Sequence, residues 1–194
     1  TEGAEKAAEY IVGEFNALGV GEPQIQEFPV LVPVHSKAEI RTQGAIYPLH
    51  PLFPNGVCPP GLPEDGLPTR LVYAGFGRLS DVQGKDLKDT TVIVETGARE
   101  QWLYLIDLGA HAVIFVERQK PTRSMEITTQ TGSHQSVPRF WLKADEARPL
   151  IERLQKGDVP AVLFSDARWE QRTGKNIWVD LPGVSTAPHN EAEF

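Results

Sequence analysis

Apolar residues at positions 4, 7, 8, 11, 12, 15 and 18 recur at spacings of three and four, the period of one face of a helix, and predict an amphipathic α-helix over residues 1–18. Thr1 is available as its N-cap and Gly19 as its stop. Such a stripe needs a surface to cover, since each of its larger side chains is worth roughly 1.5–3 kcal/mol when packed. Phe28, Val30, Val32 and Val34 then alternate with other residues, and Ala38 and Ile40 alternate again after His35. Two strands are expected there, with Pro29 and Pro33 marking an edge position or a bulge. Residues 47–68 are dense in Pro and Gly, which remove backbone donors, and are expected to form an ordered surface loop.

From residue 70 the pattern changes to short apolar runs separated by helical periods. Strands are expected at 71–74, 92–94, 112–116, 138–142 and 161–164, with helices at 100–108 and 145–156. Gly109 and Gly157 follow the two helices, where a left-handed C-cap is wanted. A further short strand is expected at 176–181, before a polar tail. Strand and helix in alternation imply an α/β layered fold, with the early strands closing a second sheet or a partial barrel. No internal repeat is evident.

Composition narrows the class. With 194 residues, 40% hydrophobic and 23% charged, the chain is long and apolar enough to bury a core of its own. Its 26 acidic against 19 basic side chains give a net charge of −7, with no basic stripe, which argues against nucleic acid and anionic membrane as partners. The one cysteine, Cys58, has no intrachain partner for a disulfide. Residues 42–63 lack Asp, Glu, Lys and Arg, yet Pro48, Pro51, Pro54, Pro59 and Pro60 exclude a membrane helix there. The first helix is charged and has no basic segment followed by an apolar one, so it is not a signal peptide.

Candidate chemistry is sparse. Gly75-Phe76-Gly77 after a strand resembles a truncated dinucleotide-binding turn, but no helical period follows it and a plain glycine turn is expected. None of His35, His50, His111, His134 and His189 has a second ligand at metal-site spacing. His111, just past Gly109, is expected at a strand entry. Ser133 and His134 are adjacent, which keeps their side chains apart, and no Gly-x-Ser-x-Gly elbow occurs. Of the four tryptophans, Trp102 and Trp141 are expected in the core, whereas Trp169, flanked by Arg168 and Glu170, is a candidate exposed anchor. Residues 119–136 are long and polar apart from Met125 and Ile127, and are the best candidate for an interaction loop. Arg123, Met125, His134 and Trp169 are the candidate interaction residues. No catalytic and no metal-ligating residue is nominated.

Gly84-Lys85-Asp86-Leu87-Lys88, the strand that follows, the helix, and then Gly109-Ala110-His111-Ala112-Val113-Ile114 together resemble the protease-associated domain, and the order of elements through residue 164 continues that likeness. In zinc-dependent aminopeptidases, a family that includes glutamate carboxypeptidase and the transferrin receptor, this domain is inserted early into the peptidase fold. The flanks are similar too: Phe15-Asn16-Ala17-Leu18-Gly19 looks like the close of the family's opening helix. Residues 176–183, Asn-Ile-Trp-Val-Asp-Leu-Pro-Gly, look like the strand that returns to the peptidase sheet.

The resemblance implies a swivelling β/β/α protease-associated domain over 35–170. A helix and strand at 1–34 would belong to the peptidase domain, with a return strand and tail at 171–194. The family's first zinc ligand comes from a His-x-Asp motif on the next strand, and His189-Asn190-Glu191 is not that motif. No metal or catalytic residue is therefore carried over. Two zinc ions are implied for a longer parent, none for this chain, which is expected to be non-catalytic. The implied partners are the peptidase domain of the same polypeptide and peptide or protein substrates, in an extracellular, periplasmic or cell-envelope-facing setting. An independent binding module and a degenerate, receptor-like peptidase relative remain open alternatives.

Overall fold

The computed structural model describes residues 2–52, 60–116, 137–181 and 183, and all structural statements refer to these. Two compact units divide them, one made of the chain up to Leu31 together with the chain from Gln171, the other of Val32–Glu170.

The larger unit holds an eight-stranded sheet in the order β3-β2-β9-β5-β6-β7-β8-β4, where β2 is Ala38–Thr42, β3 Ala45–Pro48, β4 His50–Leu52, β5 Leu67–Tyr73, β6 Thr90–Glu95, β7 Ala112–Val116, β8 Arg139–Leu142 and β9 Val159–Ser165. Strands β5 to β8 run parallel, and β9 and β2 continue the sheet antiparallel. Strands β6 and β7 are buried at every position, which is why both read as unbroken β-branched and apolar runs.

The sheet is nearly closed. β3 and β4 stand at opposite ends of the strand order, yet only Leu49 separates them in sequence. Residues 45–52 therefore act as one bent strand that pairs with β2 up to Pro48 and with β8 from His50. Leu49 is buried at the bend, and its N–H donates to the Ala38 carbonyl. The expected surface loop at 47–68 is thus corrected at both ends, because the prolines there sit where one ladder stops and the other begins. Pro51 is tolerated because β4 has a single neighbour.

Side chains alternate between two cores. One face of the sheet packs Ile40, Leu71, Ile93, Ile114, Phe140 and Leu163 against Ala147, Leu150 and Leu154 of helix α3 (Ala144–Leu154). The other face packs Val72, Val92, Val94, Val113 and Phe115 against Trp102 and Leu105 of helix α2 (Trp102–Asp107). Helix α2 is shorter than its apolar period suggests, because Arg99 adopts a positive φ of 49° just before it. Gly109 ends it at φ 106°, and a Cβ there would lie 3.0 Å from the Lys88 backbone.

In the smaller unit helix α1 (Glu2–Leu18) accompanies residues 24–31 and 171–178 of a two-stranded ribbon formed by β1 (Gln24–Val34) and β10 (Arg168–Trp178). Two expectations are corrected here. The strand expected at 176–181 begins instead at Arg168 and ends at Trp178. The strand expected at 28–34 starts four residues earlier, and it pairs in the ribbon, a sheet separate from the eight-stranded one.

Where the chain enters and leaves the large sheet, Asp166 closes a clasp. Its carboxylate accepts from the Ser36 and Lys37 backbone N–H groups at 2.9 Å each and from the Ser36 hydroxyl, while its own N–H donates to the Lys37 carbonyl. Burial pushes the Asp166 carboxyl up, but the bonds from Ser36 and Lys37 and the charge of Arg168 outweigh it and hold the group at about 2. A depressed folded-state value stabilises above the ordinary carboxylate range and is lost as pH falls toward 2. With allowance for solvent screening, Asp166→Ala is expected to cost about 1–2 kcal/mol at pH 7. Urea melts of both proteins should converge as the pH is lowered from 4 toward 2.

Candidate functional site

Several described polar groups of the large unit are engaged in holding the fold. His111 lies just before β7, as expected of a strand-entry residue, and its N–H donates to the Thr90 carbonyl. Its Nε2 lies 3.0 Å from the Thr69 hydroxyl, which in turn is 2.9 Å from that of Thr91. Burial pushes the His111 ring down, partly offset by Asp89, so the imidazole stays neutral at pH 7. The Gly75-Phe76-Gly77 turn places both glycines at positive φ and aims the Phe76 and Arg78 N–H groups at the Asp81 carboxylate. A phosphate would have to displace that carboxylate, so this is a self-filled turn. Glu39 is paired with Lys37 and Arg41.

One polar constellation lies at the carboxyl ends of the parallel strands. Glu95, the last residue of β6 and only 1% exposed, accepts from the Tyr73 hydroxyl at 2.5 Å. A cleft of about 400 Å3 opens beside it, lined by Val116 and by Ala144, Arg148, Ile151, Glu152 and Gln155 along one side of α3. Among the described residues, no three His, Cys, Asp or Glu side chains converge as a metal site. Among the described residues, Asp81, His111, Glu39 and Glu95 are each engaged in a contact of the fold.

The smaller unit presents a different kind of site. None of its described residues is buried, although it carries eight of the thirteen exposed large hydrophobic side chains, including Ile11, Leu18, Leu31 and Trp178. On α1, Ala8, Val12 and Phe15 are half-buried, whereas Ile11 and Leu18 on the adjacent stripe are 40% and 69% exposed. Lys175 ties the helix to the ribbon through ion pairs with Glu5 and Glu27. The hydrogen bond and charge of Lys175 hold the Glu5 carboxyl low, and Glu5 in turn raises Lys175. Phe28 lies across Gly174, where a Cβ would come within 2.7 Å of its ring. With none of its described residues buried, the helix and two strands leave these apolar side chains partly or fully exposed.

Of the residues singled out from the sequence, Trp102 is fully buried and Trp141 half-buried, its ring tilted 41° to that of His50 at 4.9 Å between ring centroids. Trp169, near the start of β10, is 43% exposed. Arg123, Met125 and His134 lie outside the described residues. Sequence reasoning missed Tyr73 and Glu95, and the one available signal was a carboxylate closing the apolar run of β6.

No protein-family model matches the chain, and no curated protein sequence does. Solved structures do match. A zinc aminopeptidase from Bacillus subtilis superposes with a TM-score of 0.63 and 18% identity over 91% of this chain and 40% of its own. An aminopeptidase from Aneurinibacillus sp. strain AM-1 gives 0.54 and 18% over 90% of this chain and 41% of its own. A peptidase M28 precursor from Shewanella amazonensis gives 0.54 and 15% over 91% and 45%. The likeness is one of fold. This chain spans less than half the length of each of these proteins.

Proposed function

We propose that this chain is the protease-associated domain, with its flanking helix and strands, of a zinc-dependent peptidase polypeptide, and that it serves substrate access or protein interaction and does no chemistry itself. The observation that carries the reading is the smaller unit, which exposes apolar residues of α1, β1 and β10 without burying one. The fold likeness to aminopeptidases more than twice as long supports it, with the peptidase part of the same polypeptide as the partner for that surface. In this reading zinc belongs to the peptidase part. Arg123, Met125, His134 and Trp169 are the proposed contacts to a peptide or protein, and the setting is extracellular, periplasmic or at the cell envelope.

A second reading, a self-sufficient ligand-binding module, is favoured by the cleft beside Glu95. Zinc titration by calorimetry on the purified chain, with an assay on aminoacyl anilides, separates enzyme from non-enzyme. Absence of both binding and turnover is expected. Tight zinc binding with turnover would overturn the proposal.

A further inference from the structure

Helix α3 uses two faces. Ala147, Leu150 and Leu154 pack on the sheet, while Arg148, Ile151, Glu152 and Gln155, at spacings of three and four along the adjoining face, line the cleft beside Glu95. The strands contribute Glu95 of β6 and Val116 of β7, which stand in register at the ends of a parallel pair. Glu95 lines the cleft and is nevertheless only 1% exposed, so it lies deep in it, with one carboxylate oxygen oriented by the Tyr73 hydroxyl. A carboxylate accepts about four hydrogen bonds, so a group already held by Tyr73 and by other contacts can still receive a further donor.

The charges around the cleft decide what it accepts. Its carboxylates are Glu95 and Glu152, and its one cation, Arg148, is paired at 3.7 Å with Asp145, which is outside the lining. An anion would have to settle against two carboxylates whose nearest cation is already engaged. A cation meets both with the favourable sign. Val116 and Ile151 add an apolar wall, which suits methylene groups behind a charged head, the way lysine and arginine side chains divide between apolar surface and water. The volume, about 400 Å3, falls within the range of small-ligand sites, roughly 300–1,000 Å3.

We propose that this cleft binds an ammonium or guanidinium group carried on a methylene stem, with the head at Glu95 and Glu152 and the stem on Val116 and Ile151. That chemistry is supplied by a basic side chain of a peptide or by a free aliphatic amine. The inference goes beyond the proposed function, since it rests on the cleft alone and not on a peptidase part.

Residue-resolved NMR titration of the purified chain tests it with acetyl-lysine amide and acetyl-arginine amide. Acetyl-norleucine amide and acetyl-glutamate amide serve as the uncharged and the acidic control. The two basic compounds should shift the backbone amides of Val116, Ile151 and Glu152 to saturation, and the controls should leave them in place. Glu95→Gln, which keeps an acceptor for the Tyr73 hydroxyl, should weaken binding about tenfold or more. Glu152→Lys, at an exposed position that tolerates the change, should weaken it about fivefold and decides the matter if Glu95→Gln fails to fold. Equal shifts from the norleucine compound, tighter binding of the glutamate compound, or affinity unchanged in Glu152→Lys would each overturn the proposal. Cadaverine and a capped pentapeptide with a central lysine separate the two sources. Tighter binding of the peptide assigns the cleft to a basic side chain and tighter binding of the diamine to a free amine, and either result upholds the cationic site.

Discussion

Trp102→Ala is expected to destabilise the large unit by about 3–5 kcal/mol, the range for truncating a buried large aromatic residue. Trp102 begins α2 and is fully buried beneath the sheet. Its ring meets Phe115 edge-on at 5.7 Å between centroids, and the guanidinium of the buried Arg139 lies 4.6 Å above it. The substitution thus removes three things together: apolar area, an aromatic pair and the face on which a buried cation rests. Because whole domains are stable by only about 5–15 kcal/mol, a loss of this size takes roughly a fifth or more of the total. Denaturant unfolding should show a sharply lowered midpoint, whereas Trp102→Phe, which keeps a ring for Phe115 and Arg139, should recover much of the loss. A cost below about 1 kcal/mol for Trp102→Ala would mean that α2 is not held to the sheet by this contact.

How far the fold was legible depends on how local its causes are. β7 was read to the residue because Ala112–Val116 is buried on both faces, so every position carries the apolar signal. Helix α3 was legible from its 3.6-residue period even with Pro149 inside it. β10 was not, since Glu170 to Asn176 is polar on both faces and the strand is specified by its partner β1 through cross-strand pairs such as Lys175 with Glu27. β4 was missed for the same reason: His50-Pro51-Leu52 has no strand signature, and only its pairing with Arg139, Phe140 and Trp141 makes it one. The near-closure of the sheet at Leu49 follows from a change of partner that no window of sequence displays.

The candidate site divides along the same line. Trp169 was legible as an exposed aromatic residue among charges, and α1 as an apolar stripe in need of cover. The placement of Glu95 beside Tyr73 was not, because it depends on the parallel alignment of β5 and β6, in which Tyr73 pairs with Ile93 two residues before Glu95. Apolar side chains on α1 and on α3 look alike in sequence. Their burial differs completely, and that difference is measurable.

Leu150→Ala in α3 is expected to cost about 2–5 kcal/mol, whereas Ile11→Ala in α1 should change the stability of the isolated chain by no more than about 0.5 kcal/mol. Leu150 is fully buried against the inner face of the sheet, in one cluster with Leu71, Ile93 and Phe140. Removing its three outer carbon atoms leaves a void that close-packed neighbours refill only in part. Ile11 is 40% exposed in a unit none of whose described residues is buried, so its truncation removes little that the chain already uses. Guanidinium or urea titration of the two variants, with fluorescence and circular dichroism monitored together, gives both numbers. The comparison also bears on function. If Ile11→Ala is neutral in the chain alone but weakens its association with the peptidase part, the stripe is retained for a contact outside the described structure. A loss at Ile11 comparable to that at Leu150 would instead make α1 part of the core, and would remove the observation on which the interface reading stands.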